Sequence, residues 1–520
     1  MGKKGAAVGV LIFLLLILGK FTSLFRDILF SMFFGTSLFA DAYFAANMVP
    51  GLLNTTFVMS ALVLFVPVYN QVLADKGKNE ASIFTSNLMT IFFLFNITLS
   101  FFAFIIAPLI LKVITPGFDL ETYSISIELT KILVWSFPIT AIVYVLINVS
   151  NANQKHINPQ LIIVLNSLIS IILMYILIPK YGIYAVPFIG IFGWIVQIFI
   201  QKKFVQNYYK YKFVLNLKDE YVKKVLVLAI PTIIATATVQ INLAIDSMWG
   251  STLSSGSVAM LNYAQKIFNL MNGTLITAII TVSYTELSKF YAKKEYGAFL
   301  NDVKKYFRII IFMMVPVVII SIVCAEEIVK IIYYRGSFEY ESVVVVSNLF
   351  IFYSLAIVFA GMKEFYTRIY YILGDSKTPT IISIFSIFLN VLLNLSLVKS
   401  FGIYGIAIAT LLSTIIANVI GIKYLSQKLK SKSIIFNKGD KSQLLISAIL
   451  LVLLSVSMIF VFDFDNAIIK LLSISTASII LYLTLLRLFK NDMVLSFENL
   501  VLNKFKVLTK IKNFLIKVER

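Results

Sequence analysis

Residues 6–34 read AAVGVLIFLLLILGKFTSLFRDILFSMFF, a hydrophobic run that carries Lys20, Arg26 and Asp27 inside it. As a helix it is long enough to cross about 30 Å of hydrocarbon. A cation at that depth costs roughly 2.5–3.5 kcal/mol on insertion scales and is kept where it lines a polar cavity or holds a partner. Two cations and one anion in one span therefore point to an aqueous, anion-attracting chamber within the membrane.

The rest of the chain follows the same pattern. Its 520 residues are 59% hydrophobic and 13% charged, with a mean hydropathy of +0.92, whereas a soluble domain is about 25% charged. The length rule gives about fourteen transmembrane helices, at 6–34, 40–70, 85–111, 124–148, 159–179, 182–201, 222–249, 257–288, 306–326, 342–366, 379–398, 402–422, 442–462 and 466–486. The predicted fold is an all-α integral membrane protein.

Charge gathers in alternate loops. Lys3 and Lys4 precede the first span, Lys76 and Lys78 follow the second, and lysines cluster at 202–224, 289–308 and 423–441. The opposite loops hold Lys112, Lys180, Lys330, Arg335 and Lys399. By the positive-inside rule both termini of this multi-pass membrane protein are cytoplasmic. The net charge of +20 is thus a topology signal, and no nucleic-acid partner is expected. Residues 489–520, ending FKVLTKIKNFLIKVER, read as a basic amphipathic tail on the anionic inner leaflet.

A cleavable signal peptide fits the N-terminus poorly, because no small-residue cleavage site follows and the run outlasts a signal core. Enzymatic chemistry lacks its usual parts. Cys324 and His156 are the only cysteine and histidine, so neither a Cys/His metal site nor a His-based triad can be assembled. Glu326 and Glu327, adjacent at a span end, read as solvated loop charges.

An internal repeat sets the architecture. NPQLIIVLNSLISIILMYILIPKYGIYAV around Pro159 matches TPTIISIFSIFLNVLLNLSLVKSFGIYGI around Pro379 at an offset of about 220 residues, and Asp27 matches Asp246 at nearly that offset. Two six-helix lobes follow, 1–206 and 221–428, with two extra C-terminal helices in 441–488. An even number of spans keeps the halves in one orientation, related by an axis along the membrane normal around a central cavity, as in alternating-access transporters.

Lys20 is mid-span, Arg26 lies higher, and Lys266 enters from the eighth span about ten residues below its end. Lys20 and Asp27 share a helix face while Arg26 lies about 120° away, so presenting both cations needs a bend near Gly19 or a wide cavity. Arg26 and Asp27 either satisfy local partners or belong to a phosphate or pyrophosphate pocket, where arginine offers a fork of donors and lysine a mobile charge. A second constellation joins Asp246, Asn390, Asn394 and Thr410 at similar estimated depth. These oxygens suit a hard cation such as Na⁺; interhelical hydrogen bonding is the alternative.

The segment GKFTSLFRDILFSMFFGTSLFADAYFAANMVPGLLN resembles the N-terminal signature of the MurJ (MviN) lipid II flippases, in the superfamily that also holds the MATE exporters. PTIIATATVQINLAID at 231–246, LNYAQKIFNLMNG at 261–273, YRGSF at 334–338 and KEFYTRIYYILGDSKTPT at 363–380 agree with it, and the resemblance covers about 1–430. It implies a V-shaped bundle of fourteen helices, with a cationic cavity for the pyrophosphate and sugar headgroup and a lipid-tail groove on spans 13 and 14. Arg26, Asp27 and Asp41 match the family directly. Lys20 and Lys266 stand where it usually has arginine, keeping charge and losing bidentate geometry, and Asn54 and Met59 replace an arginine and a glutamate.

The resemblance thus implies a flippase for undecaprenyl-pyrophosphate-linked peptidoglycan precursor, working as a monomer. Lys20, Arg26, Lys266, Asp27, Asp41 and Asn54 are its candidate headgroup residues. No cofactor is expected beyond Na⁺ as coupling ion. The alternatives are flippases for O-antigen, teichoic acid or capsule intermediates. Cationic drugs want acidic cavities, which disfavours a multidrug exporter, and the outer loops are too short for a membrane glycosyltransferase site.

Overall fold

The computed structural model describes residues 3–431 and 466–488, with 434, 449, 450, 452 and 464. The described residues form helices: α1 Lys3–Phe34, α2 Leu38–Pro50, a π-helical segment Gly51–Met59, α3 Ser60–Leu62, α4 Phe65–Ile114, α5 Leu120–Leu133, α6 Ser136–Ala152, α7 Ile157–Tyr181, α8 Ala185–Val205, α9 Glu220–Ser251 and α10 Ser257–Ala292. The series continues with α11 Tyr296–Val323, α12 Ala325–Tyr333, α13 Tyr340–Ile372, α14 Lys377–Phe401, α15 Ile403–Lys428 and α16 Ala467–Leu488. The span predicted at 442–462, apart from residues 449, 450 and 452, and the tail at 489–520 fall outside the described residues.

Among the described residues, eight helical runs are long and apolar enough to cross a membrane. Two of them, Leu38–Ile114 and Ile157–Val205, far exceed the roughly 20 residues one crossing needs. Each is interrupted by a glycine at positive φ, Gly77 at +83° and Gly182 at +58°. The predicted span at 40–70 is thus built from α2, the π segment, α3 and the start of α4, and α4 past Gly77 is the next crossing.

The fourth predicted span is not one straight helix: α5 and α6 meet at 43°. Pro138 has no N–H to offer the Val134 carbonyl one turn back. That carbonyl accepts instead from the Ser100 hydroxyl at 2.7 Å and from the Phe137 N–H at 3.2 Å.

Aspartate and asparagine caps fix several helix starts. Asp119 caps α5 through the Thr122 N–H at 2.7 Å, Asp219 caps α9 through Tyr221 and Val222, and Asn466 caps α16 through Ile468. In the D-x-K-T-P element, Asp375 accepts from the Thr378 N–H at 3.0 Å and pairs with Lys428 at 2.5 Å. Burial alone would raise the Asp375 carboxyl, but Lys428 and Thr378 outweigh it and hold it down at about 2. α7 and α14 both begin just before a proline and both end at a glycine of positive φ, Gly182 at +58° and Gly402 at +55°.

The chain divides into two compact units: Met1–Tyr263 with Ile332–Val346 and Ser383–Ala409, and Ala264–Ile331 with Ser347–Ile382 and Thr410–Arg520. Each has its own apolar core. Val58, Phe65, Phe84, Leu88, Val145 and Val225 belong to the first core, and Ile276, Phe307, Ile310, Ile357, Phe365 and Ile369 to the second. Within the second unit α16 docks on α11, where Tyr482 packs on Phe312 and donates to its carbonyl at 3.1 Å. Glu327 corrects the solvated-loop expectation: it is largely buried and pairs with Lys470 of α16 at 3.2 Å. Glu326, more exposed, pairs with Lys330 at 2.7 Å.

Candidate functional site

The site begins on α1, which runs as one helix through Gly19. Gly19 is not a bend but a packing position, facing Ile163 and Val164 of α7 at 3.5 and 3.8 Å from where a Cβ would stand. Lys20 is half-buried. The Arg26 side chain keeps 39% of its exposure, while Asp27 keeps 19%. Among the described residues Arg26 makes two long local contacts, to Asp27 at 3.6 Å and to the Ser23 hydroxyl at 3.4 Å. Neither has the short bidentate geometry of a committed arginine–carboxylate pair. Tyr43 of α2 lies close enough to feel both charges.

At the lysine-poor end of the first unit α2 is bonded to the start of α10. Asp41 is buried, and both of its oxygens accept backbone N–H groups at the start of α10, from Gly256 at 2.6 Å and Ala259 at 2.7 Å. A carboxylate is favoured there because the first N–H groups of a helix lack partners within it. Asp41 thus ties α2 to the start of α10. The YRGSF element adds to the seam: the Ser337 N–H donates to the Met32 carbonyl at 2.9 Å, and Thr36 and Ser342 share a hydroxyl bond of 2.6 Å. Tyr263 donates to the Gly35 carbonyl at 2.9 Å and meets Phe44 and Phe338 edge-on and Tyr333 at a tilt.

Gly336 is required here by space as well as conformation. Its φ is +59°, and a Cβ would run into the Met32 carbonyl. Gly336→Ala should therefore cost about 2 kcal/mol or more, read as a fall of about 2–4 °C in thermal midpoint. An unchanged midpoint would reject the seam.

Toward the lysine-rich end the second span lies along α9. Ser60 shares a short hydroxyl bond with Thr236 at 2.5 Å, and Thr232 donates to the Ser60 carbonyl at 3.1 Å. Between these contacts and Asp41 lies the π segment, which carries Asn54. Asn54 is buried and donates to Thr140 of α6 at 2.6 Å, leaving its carbonyl oxygen without a hydrogen bond among the described residues.

Of the proposed cation ligands, Asp246, Asn390 and Asn394 are all buried in the first unit. The Asn394 amide donates to the Asn390 carbonyl at 3.0 Å, and the Asn394 carbonyl oxygen is buried without a hydrogen bond among the described residues. A buried carboxylate and amide oxygens are donor chemistry that suits a hard cation. Lys266 and Thr410 belong to the second unit, Lys266 half-buried one turn past Tyr263 on α10. Sequence reasoning missed Tyr43, Gly256, Tyr263 and Tyr333. Two of these, Tyr43 and Tyr263, lie in stretches quoted above for the resemblance, which carried no role for them.

The lipid II flippase MurJ family model matches residues 30–486. The lipid II flippase MurJ of Thermosipho africanus (strain TCF52B) is 28% identical over 486 residues, covering 92% of this chain and 95% of the relative. A probable lipid II flippase MurJ of Buchnera aphidicola subsp. Acyrthosiphon pisum is 26% identical over 463 residues, covering 86% and 88%. A solved lipid II flippase MurJ in an inward closed conformation superposes with a TM-score of 0.79 at 25% identity, over 93% of this chain and all of that one. An inward-facing MATE multidrug transporter of the MOP superfamily shares the fold, with a TM-score of 0.67 at 14% identity over 78% of this chain and 98% of the other. The match runs from the end of α1 almost to the end of α16, and the chain accordingly belongs to the lipid II flippase MurJ family, whose members are transporters and not enzymes.

Proposed function

We propose that this protein carries undecaprenyl-pyrophosphate-linked disaccharide peptide from the inner to the outer leaflet of the bacterial cell membrane by alternating access. The observation that carries the reading is Arg26: a guanidinium inside an apolar span, more than a third exposed, whose contacts among the described residues are long and local. It is poised for an anion larger than Asp27. Arg26 and Lys20 bind the pyrophosphate, with Lys266 as a further cation, while the lipid tail stays in the bilayer. Two lobes within one chain suffice for alternating access, so the working unit is a monomer with both termini cytoplasmic. Native mass spectrometry of the purified protein with its retained lipids tests the cargo. A lipid-linked disaccharide peptide is expected, and a different undecaprenyl-linked glycan in its place would overturn the assignment.

Na⁺ is the proposed coupling ion, held by Asp246, Asn390 and Asn394 with Thr410 as a fourth ligand. Its gradient supplies driving free energy. If Na⁺ binds, it stabilises the folded protein by about 1.4 kcal/mol at ten times its dissociation constant. The expected result is a thermal midpoint about 2 °C higher in sodium than in choline chloride, lost in Asp246→Asn. An equal sodium response in the variant would reject the site.

A further inference from the structure

Residues 206–219, which join α8 to α9, are not a slack linker. From Tyr209 to Asn216 the chain runs extended against the first turns of α4 past Gly77. Asn87, fully buried, grips it with both ends of its amide: it donates to the Asn216 carbonyl at 2.9 Å and accepts from the Asn216 N–H at 2.8 Å. Ser86 donates to the Tyr209 hydroxyl at 3.2 Å and accepts from the Lys212 N–H at 3.2 Å. Thr90 shares a hydrogen bond of 3.0 Å with Tyr211, and Ser82 donates to the Lys210 carbonyl at 3.3 Å. A polar stripe on α4 that hydrocarbon would penalise is thereby satisfied by the strap.

The depth of this contact follows from helical rise. Counting 30 Å of hydrocarbon back along α4 from Lys112, at 1.5 Å per residue, ends about twenty residues earlier, near Phe92. Ser82 to Thr90, and the strap beside them, therefore stand in the interfacial layer. What the strap presents outward is unusual for a polar loop. Tyr211, Phe213, Leu215 and Leu217 alternate along it, with Phe213 73% and Leu217 66% exposed. Lys210, Lys212 and Lys218, all exposed, are interleaved with them. Water does not account for four apolar side chains in a row, and hydrocarbon does not account for three ammonium groups. An anionic bilayer surface accounts for both, since aromatic and aliphatic groups seat below the headgroups while lysines reach the phosphates.

We propose that residues 208–218 form a docking strap for anionic phospholipid of the leaflet at the lysine-rich end. Phe213, Leu215 and Leu217 seat between headgroups, and Lys210, Lys212 and Lys218 hold lipid phosphates. The strap thereby ties the joint between the two repeats to one leaflet. This does not depend on which glycan is carried.

The test is spin labelling of Phe213→Cys, Leu215→Cys and Leu217→Cys in a Cys324→Ser background, in liposomes of phosphatidylcholine with about one-third phosphatidylglycerol. The expected result is high collision with oxygen and low collision with a water-soluble nickel chelate at all three positions. Free access of the chelate overturns the proposal, and so does protection from both reagents, which would mean a protein partner or a second copy covers the strap. The triple variant Lys210→Gln/Lys212→Gln/Lys218→Gln keeps the backbone grip on α4. It should retain phosphatidylglycerol over phosphatidylcholine at least about fivefold less well in native mass spectrometry. Equal retention overturns the assignment of the lysines.

Discussion

Replacing Arg26 by alanine is expected to abolish complementation of a flippase-depleted bacterium, while leaving the protein folded. The charged groups of the α1 site, Lys20, Arg26 and Asp27, sum to +1, and the alanine variant brings them to zero. It also removes the only guanidinium among them. A charge-assisted hydrogen bond is worth about 1.5–3 kcal/mol, so losing two from a bidentate phosphate contact lowers affinity by about two orders of magnitude or more. Folding should be little affected, because the contacts Arg26 makes are long and its side chain is partly exposed. Two further variants separate charge from geometry. Arg26→Lys should restore growth in part, and Arg26→Ala with Asp27→Asn returns the site to +1 without a fork and should not. Normal growth of the alanine variant would remove Arg26 from the mechanism.

Asp41→Asn is expected to open the lysine-poor end of the first unit. The carboxylate accepts from Gly256 and Ala259 at 2.6 and 2.7 Å, with both oxygens used. An asparagine keeps one acceptor and turns an NH₂ toward the other N–H, leaving two buried donors facing each other. The loss is about 2 kcal/mol, which moves a two-state equilibrium roughly 30-fold. Ser342→Cys in a Cys324→Ser background reports it, because Ser342 is buried against Thr36 across the seam. In that background Asp41→Asn should raise labelling by a membrane-impermeant thiol reagent at least about tenfold. Labelling no faster than in the parent would show that Asp41 does not hold this seam.

Hydrocarbon thickness made most spans legible in the sequence, since a helix that crosses it needs a minimum apolar length whatever it packs against. Breaks were harder to read. Pro138 marks the bend between α5 and α6, but its relief by Ser100 depends on a residue in another helix. Gly19 shows the converse, because a glycine in a helix reads equally well as a flexible point or as a place for close packing. Asp41 was visible as a matched residue, yet its partners are backbone N–H groups more than 200 residues away, which leave no side-chain pattern to find. Glu327 misled for a related reason: the nearest sequence neighbour, Glu326, is exposed, and the lysine that pairs with Glu327 lies on the last described helix. Charges inside spans therefore announce themselves, whereas the seams that hold them in place do not.

The π segment Gly51–Met59 bears on what those seams can do. Asp41 is anchored on one side of it, to the start of α10, and Ser60 on the other, to α9. A π turn spends one more residue than an α turn, so rewinding it locally advances the chain beyond by about 1.5 Å and turns it by about 100°. Such a change costs little backbone hydrogen bonding, because every N–H trades one carbonyl for its neighbour. The two ends of the second span are thereby geared differently: one can keep its grip while the other, and Asn54 between them, changes the face it shows.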